Sequence, residues 1–535
     1  MAANAVYYAN ASAGANNGTS CVNAYAYSDA TNGFNAAGNW SGSPTGTQIG
    51  PGTTVHLCGT ISGEIAFQGS GSSGNVITLL FEPGAMFSNT GAAFNAQSPI
   101  TTDGQNYIQI NGGIANTGGA TPNIVVTGNG SGLATQLRIL AIHANGSSNL
   151  EILNFGCANN YVHTSVSDTS IDADSSACIY GNPGGQNVSI HDSTFHDNQD
   201  GILFVNASSG SPSLQVYNMN MYHMDHFLVT TCNSSTSGGW YVHDNQIHDP
   251  ANWDTTANAY HHDGWLLVIS TGQTCDQIYA YNNLFGGDWG SNNTSPLFFD
   301  QNGGGAAAVD NTYIFNNVFL NTNPSYPWSN GIALEVYPGP VHFWNNTVIC
   351  PTAGGPSMEV ISPNIDIRNN VESGCQNYYN TSEAASGTDV SVAAFDYNYY
   401  ANLIASGGSA FSFLSQSSGG GSLASQFAAW QSIVQGLVAG SESHSGVGSS
   451  AGLNSSGVPT SNSSPVVGSG VNLCNGIISC TGTLAALASG TSAGNTITPV
   501  TRSASGAWTI GAYNYIPPPG SISSSTGIAS SSGVQ

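Results

Sequence analysis

The chain has 535 residues, no lysine, three arginines and 28 acidic residues, which give a formal charge of −25 at pH 7. A chain this acidic repels nucleic acid and anionic membrane surfaces, so we expect neither as a partner. No stretch of about 18 apolar residues occurs, which excludes a membrane-spanning helix.

Only 6% of the residues are charged, far below the usual share of about 25%. A surface of neutral polar groups favours an acidic extracellular environment, where carboxylates are protonated; ordinary sequence drift is the alternative. The N-terminus has neither a basic nor an apolar leader region, which is typical of a mature secreted chain.

The ten cysteines follow one another as neighbouring pairs, and none belongs to a Cys-x-x-Cys motif for zinc or redox chemistry. Their even number predicts disulfides formed in an oxidising compartment, with a cytosolic chain of free thiols as the alternative. The predicted pairs are Cys21/Cys58, Cys157/Cys178, Cys232/Cys275, Cys350/Cys375 and Cys474/Cys480.

Residues 1–104 contain short alternating stretches, such as 54–57 and 76–80, that are broken by Gly and Ser turns. Alternation of apolar and polar residues predicts short β-strands. We interpret this segment as an N-terminal cap that also contains the first coils of a repeating structure.

From residue 105 to 400, one five-residue pattern recurs: an apolar residue, any residue, an apolar residue, any residue, then Asn or Asp. Its seven clearest copies begin at Val188, Leu214, Trp240, Ile278, Thr312, Val341 and Ile365. Their Asn or Asp positions lie 24 to 38 residues apart, which is typical of the stacked coils of a β-solenoid. Equivalent residues of successive coils then lie about 4.8 Å apart, the spacing of paired strands.

The sequence changes in character after residue 400, and we interpret residues 401–515 as a C-terminal capping segment. Within it, residues 422–434 predict one short amphipathic helix that caps an end of the solenoid. Residues 516–535 are rich in Pro, Gly and Ser and are interpreted as a disordered tail.

Short motifs near both ends resemble a known architecture. Tyr7-Tyr8 with Gly50-Pro-Gly-Thr-Thr-Val55 resembles the opening segment of secreted right-handed β-helix proteins, and Gly506-Ala-Trp-Thr-Ile-Gly-Ala-Tyr513 resembles the closing segment. The chain is thus similar to the secreted bacterial proteins of the pectate-lyase-like superfamily. This resemblance implies an all-β fold, a right-handed parallel β-helix with capping segments, and a polysaccharide as the partner.

The chain departs from the motifs of the enzymes in that superfamily. The Asn-Thr-Asp, Gly-His-Gly and Arg-Ile-Lys motifs of the pectin hydrolases are absent. Pectate and alginate lyases use Arg or Lys as base and charge neutraliser, and this chain has almost none. The resemblance therefore implies the architecture more firmly than the activity.

Residues between the apolar positions of the repeats point outward, because side chains alternate along a strand. Many of these residues are aromatic, and rings with polar edges suit the apolar faces of sugars. The predicted substrate-binding residues are Tyr241, Trp253, Trp265, Tyr281, Trp289, Tyr313 and Trp344. The alternative is that a loop or the C-terminal segment covers this face, or that the rings only stack on one another.

A second strand follows each repeat, and in three successive coils an aspartate lies two residues before the strand. Such carboxylates would lie about 5 Å apart, with about 10 Å between the outer two. Like charges this close raise at least one pKa, which supplies an acid and a base together. The predicted catalytic residues are Asp200, Asp225 and Asp263, tuned by His223, His226 and His262.

Two alternatives apply to this cluster. The Asp-Gly pairs could serve only as turns, and clusters of His and Asp also bind Zn²⁺ or Ca²⁺. The insertion at residues 248–265 is interpreted as a loop that overhangs the site. A second acidic pair, Asp300 and Glu335, occupies equivalent positions of adjacent coils, at the spacing of about 5 Å expected of a retaining glycosidase.

These observations favour a secreted, monomeric glycoside hydrolase that cuts a neutral polysaccharide by carboxylate acid and base catalysis. This chemistry requires no cofactor, although a bound calcium ion is possible. The alternatives are a calcium-assisted polysaccharide lyase and a non-catalytic glycan-binding adhesin.

Overall fold

The alternating segments form strands, and each pairs in parallel with the equivalent strand one coil later. The computed structural model describes residues 4–89, 98–113, 123–126, 139–160, 176–182, 184–205, 213–232, 239–250, 261–269, 274–275, 277–291, 293–300, 308–309, 311–329, 331–335, 340–350, 357–361, 364–375, 377–379, 392–403, 408–413, 416–492 and 499–515. Trp253 and the predicted tail at 516–535 lie outside these residues.

One side of the solenoid is a 14-stranded sheet, which we call the ladder face. It contains the repeats found in the sequence and begins well before the first of them. Its strands are Ala5–Ala9, Tyr25–Ala26, Thr54–Cys58, Ile77–Phe81, Ile108–Asn111, Leu150–Leu153, Val188–His191, Leu214–Tyr217, Trp240–His243, Ile278–Tyr281, Thr312–Phe315, Val341–Trp344, Ile365–Arg368 and Val392–Asp396.

A second sheet wraps around the other two sides, and two long strands, Thr194–Phe204 and Asn220–Cys232, turn the corner between them. The second face also contains Thr60–Ile61, Met86–Asn89, Ile124–Val126, Gly156–Asn160, Gln246–His248, Leu284–Gly286, Val318–Leu320, Thr347–Ile349, Val371–Ser373, Tyr399–Ala401 and Gly446–Gly448. The third face also contains Ile65–Ala66, Ile100–Thr101, Leu140–His143, Ala177–Gly181, His262–Ile269, Asn293–Asp300, Ile332–Glu335 and Met358–Ile361.

Few elements lie outside these three faces in the described residues. Thr274–Cys275 pairs with Ala308–Val309, and Asn377–Tyr379, Phe411–Phe413 and Gln416–Ser417 form a small sheet. The 3-10 helices are Cys21–Asn23, Ala37–Asn39 and Gly482–Ala488. The predicted helix forms at Leu423–Leu437, where the Ser422 side chain accepts a hydrogen bond from the Ser425 backbone as its N-cap.

The prediction of an all-β, right-handed parallel β-helix is confirmed. No helix in the described part of the chain is long and apolar enough to cross a membrane. The division into four segments proposed from the sequence stays a prediction.

The core follows from the alternation on the ladder face. Inward residues such as Val188, Ile190, Leu214 and Val216 are fully buried, and each packs directly above its equivalent in the next coil. Burial of this stripe along the whole solenoid supplies the main stabilising free energy, because each apolar side chain removed from water contributes about 1.5–3 kcal/mol.

The Asn or Asp that ends each repeat adopts the left-handed backbone region, as in Asp192, Asn218 and Asn282, with φ near 50–55°. This conformation suits Asn and Asp because their short side chains bond to nearby backbone. The residue after each corner turns inward, and in six coils it is a buried asparagine. This buried ladder consists of Asn245, Asn283, Asn317, Asn346, Asn370 and Asn398.

Four of the five predicted disulfides are present: Cys21–Cys58, Cys157–Cys178, Cys350–Cys375 and Cys474–Cys480. The Cys232 side chain of the fifth predicted pair lies outside the described residues. Disulfides of this kind persist in oxidising compartments.

The C-terminal segment packs against the outside of the ladder face. Leu473, Leu487 and Trp508 join Phe315 and Trp344 of the ladder face in a separate buried apolar cluster. Asn369, at a corner of the ladder face, also exchanges hydrogen bonds with the Val471 backbone in both directions. The C-terminal segment therefore covers the outward side chains of these coils and keeps them from solvent.

We predict that Asn317→Ala destabilises the protein by about 2 kcal/mol or more, because it leaves buried backbone and amide groups of Ala280, Asn283 and Asn346 without their partners. Guanidinium denaturation measures this difference against Asn475→Ala, which changes an exposed asparagine. Equal free energies of unfolding for the two variants would contradict a structural role of the asparagine ladder.

Candidate active site

The predicted catalytic residues meet where the two long strands turn from the second to the third face. The register there pairs Asp200 with His226 and His226 with Asp263. Asp225 lies one residue before His226, so the predicted column of three aspartates is wrong by one residue. The column is instead an imidazole between two carboxylates.

The error has a specific source in the strand register. Leu228, and not Phe227, pairs with Ile202 and with Trp265. Counting back from the wrong residue placed Asp225 in the column. Strands that bend around a corner do not keep the simple alternation on which the count rested.

Three carboxylates surround the buried ring of His226. Its Nδ1 lies 3.1 Å from Asp200 Oδ1 and 3.7 Å from Asp225 Oδ2, while Nε2 lies 3.7 Å from Asp263 Oδ2. Burial by itself lowers the pKa of His226, but the surrounding carboxylates, Asp225 foremost, outweigh burial and raise this pKa to about 10. His226 is therefore an imidazolium at neutral pH, and it compensates the buried negative charge.

Asp225 and His262 form an interior pair. The two side chains are fully buried, and His262 Nδ1 lies 3.1 Å from Asp225 Oδ1. Neither residue can touch a polymer in solvent from this position. Asp225 and His262 therefore lie at the site, but they support its structure and do not contact a substrate.

His261 is the exposed end of the cluster, with 45% of its side chain accessible to solvent. Its Nδ1 lies 2.7 Å from Asp263 Oδ2, and the Thr294 hydroxyl donates a hydrogen bond to the other oxygen of the same carboxylate. The buried Asp263 therefore holds His261 in the tautomer that carries its proton on Nδ1, which leaves Nε2 with a free lone pair.

The sequence analysis did not include His261 among the catalytic residues. The signal was the His261-His262-Asp263 run, in which the first and third side chains lie on the same side of an extended chain. The sequence pattern was read from the three aspartates, and it did not include the imidazole of His261, which Asp263 orients.

Polar rings cover the second face beside this corner. His196, Tyr222 and His248 stack with ring centroids 4.9 and 5.4 Å apart. His223, a predicted catalytic residue, lies at the corner itself with φ of 54°, and its Nδ1 is 3.4 Å from Asp197 Oδ1. More than a third of the His223 side chain is exposed to solvent.

One group of described residues has the spacing of a metal site. His226, His261 and Asp263 each offer a donor atom within 4.8 Å of the others. Two of the three donors are imidazole nitrogens, whereas calcium takes oxygen ligands. A protonated His226 has no lone pair to offer, so the geometry favours an internal ion-pair network. That a calcium ion is possible stays a prediction, and no step below involves a metal.

Three of the seven predicted substrate-binding rings are not available to a polymer. Trp265 and Trp289 are fully buried in the core, and Trp344 is buried beneath the C-terminal segment. The prediction of a binding role is wrong for these three, because the alternation rule does not show which outward residues another segment covers. Tyr241, Tyr281 and Tyr313 are half-buried in ring stacks on the ladder face, partly packed against the same segment.

The second acidic pair lies further along the third face. Phe299 pairs with Leu334, so the following residues, Asp300 and Glu335, occupy the same position in adjacent coils. Burial raises the pKa of Asp300. The Glu335 side chain lies outside the described residues.

No family model and no curated protein matches the chain. A search of solved structures finds a likeness to the crystal structure of pectate lyase Pel9A, with 13% identity, a TM-score of 0.40 and 96% of each chain covered. At this identity and TM-score, the likeness says nothing about what this chain binds or cleaves. The fold rests on the strand pairing described above.

We predict that Asp225→Asn lowers the free energy of unfolding by about 3–5 kcal/mol, because a buried imidazolium then loses one of its compensating charges. Asp244→Asn is the matched control, since Asp244 also pairs with a histidine but lies at an exposed corner where Asn fits equally well. Chemical denaturation of the two variants tests the account, and a loss of equal size in both would refute it.

The raised pKa of His226 also predicts a pH dependence. Its contribution to stability is complete below the ordinary pKa of 6.5 and is lost as the pH rises through about 10. Between pH 7 and 9 the free energy of unfolding should fall by about 1.4 kcal/mol per pH unit from this group. His226→Gln should lack that component, and an identical slope in both proteins would count against the assignment.

Proposed function

We propose that this protein cleaves an extracellular polysaccharide by β-elimination, with His261 as the base and Asp263 as the residue that orients it. The observation that carries the proposal is the 2.7 Å contact between the buried Asp263 and the exposed His261. A carboxylate that fixes the tautomer of an accessible imidazole is the usual arrangement of a general base.

Burial of the carboxylates favours elimination over hydrolysis at this site. A glycosidase needs two carboxyl groups that both reach the glycosidic bond, one of them protonated. Asp200, Asp225 and Asp263 are all buried against the ring of His226, so no pair of them reaches a glycosidic bond of a polymer in solvent. Elimination needs one accessible base, and His261 supplies it.

The charge of the chain points to the class of substrate. Elimination removes a proton from the ring carbon beside a carbonyl group, as in a uronic acid unit. A chain with a formal charge of −25 and no lysine repels an ionised polyuronate. An esterified uronate is neutral, and its ester carbonyl acidifies the same proton without a cation. We therefore infer a neutral, esterified polymer.

The proposed reaction is balanced without a co-reactant. His261 Nε2 takes the proton from the carbon beside the ester, the C–H electrons form a carbon–carbon double bond, and the glycosidic oxygen leaves with its bonding pair. That oxygen then gains a proton from water, and the protonated His261 gives its proton to the hydroxide that remains, so the base is regenerated and no water is consumed. The stacked rings of His196, Tyr222 and His248 are the surface along which we expect the polymer to lie.

A screen of neutral, esterified and free-acid polysaccharides tests the function, with new reducing ends and the ultraviolet absorbance of the product double bond measured together. We expect both signals, strongest on an esterified uronate polymer. Reducing ends without the absorbance would indicate a hydrolase, and neither signal on any polymer would favour a non-catalytic glycan-binding protein.

His261→Ala should reduce the cleavage rate by about 10²–10⁴-fold, the usual effect of removing a general base. His143→Ala is the matched control, because His143 makes the same 2.7 Å contact with an aspartate in the N-terminal coils. Wild-type activity of the His261 variant on a substrate that the unmodified protein cleaves would refute the assignment of the base.

The second candidate is a glycoside hydrolase centred on Asp300. Burial raises the pKa of Asp300, as a general acid requires, and the strand register brings Glu335 to the adjacent coil. In that case Asp300→Asn would abolish cleavage and His261→Ala would not. The two variants therefore separate the candidates on one substrate.

A further inference from the structure

A cavity of about 250 Å³ opens at the last strand of the ladder face, far along the solenoid from His261. Four segments form it: the end of the strand Ile365–Arg368, the strand Val392–Asp396 with the following Tyr397, the turn at residues 438–441 after the helix, and the C-terminal segment near Val471. Its walls are largely small or apolar, and the exposed Ile477 lies at its rim.

Polar groups of both kinds enter this cavity. Arg368 contributes guanidinium donors, and its register partner Asp396 contributes carboxylate oxygens, which also accept from the backbone N–H and the ring of His444. The Arg368 Nε lies 2.9 Å from Asp366 Oδ1, so one side of the guanidinium is already occupied. Donors, acceptors and an apolar wall in one small space are the usual features of a site for a polar organic ligand.

Arg368 is unusual in this chain. Of the two arginines in the described residues, Arg502 is buried and donates to backbone carbonyls of Thr509, Gly511 and Ala512. Arg368 is partly exposed, with 20% of its side chain accessible to solvent, and it lines the cavity.

Tyr397 supplies a second, independent observation. It lines the cavity and follows Asp396 at the corner of the last coil, with φ of 58°. Preceding coils have Asn at this corner, as in Asn345 and Asn369. A tyrosine is unfavourable in this backbone region, and such conformations cluster at ligand sites. Its ring stacks on His444, with centroids 4.6 Å apart.

We propose that this cavity binds one neutral sugar unit. A pyranose presents hydroxyl groups that both donate and accept, together with an apolar C–H face, which matches Arg368, Asp396 and the apolar wall. The volume is small for a site of this kind and suits one ring rather than a chain of several. The neighbouring Asp366 and Asp396 disfavour a ligand that carries its own carboxylate.

This binding site goes beyond the proposed cleavage and is independent of it. The cavity lies on the ladder face, whereas His261 immediately precedes the strand His262–Ile269 of the third face, several coils earlier. A sugar bound here would tether a glycan to the end of the solenoid. Failure of one proposal therefore leaves the other intact.

The test is binding of glucose, galactose, mannose, glucuronate and galacturonate to the full chain, by saturation-transfer NMR and calorimetry. The variants are Tyr397→Asn, which restores the usual corner residue, and Arg368→Gln. Tyr326→Asn, at an exposed tyrosine elsewhere, is the matched control, and His261→Ala separates this site from cleavage.

We expect at least one neutral sugar to bind, about tenfold more weakly in Tyr397→Asn and Arg368→Gln and unchanged in the other two variants. Because Tyr397→Asn removes an unfavourable backbone conformation, its melting temperature should not fall, which separates lost binding from unfolding. Absence of binding by every neutral sugar, tighter binding of the uronates, or full binding by Tyr397→Asn would overturn the proposal.

Discussion

The constraint on which this structure depends is the parallel register, which places each side chain directly above its equivalent in the next coil. At a spacing of about 4.8 Å, each charged side chain interacts directly with the equivalent side chain of the next coil. Aspartate above aspartate would be repulsive at Asp200, so the next coil supplies His226 and the one after it Asp263. In a chain without lysine, His226 supplies the cation of this column. Each histidine in the described residues lies within ion-pair distance of a carboxylate.

The same stacking decides which groups can act on a substrate. Carboxylates that compensate His226 are buried with it, so they support the site instead of entering the reaction. The side chain that a substrate can reach lies at the edge of the cluster, where His261 is exposed and Asp263 orients it. Because the three aspartates are buried, they support the site and only the imidazole of His261 is accessible. One accessible base suits elimination better than hydrolysis by two carboxyl groups.

The fold could be predicted from local pattern, because inward alternation and an Asn or Asp at the corner recur in most coils of the ladder face. In the Asn-Asn pairs at 282–283 and 316–317, the second residue belongs to the buried asparagine ladder. The sequence pattern included only the first residue of each pair, which is the corner asparagine. Two features could not be read locally. The bend between faces shifted Asp225 out of the predicted column. The cover over Trp344 comes from residues more than a hundred positions later in the chain, and no alternation rule reports such a contact.

The most direct test of the central claim is the mass of the cleavage products of an esterified uronate polymer of defined length. Elimination consumes no water, so the two fragments together should weigh the same as the uncut chain, and one of them should carry a double bond at its new non-reducing end. That result would support His261 as a base that abstracts a proton from carbon. Fragments that together weigh one water more would show hydrolysis and would contradict the account.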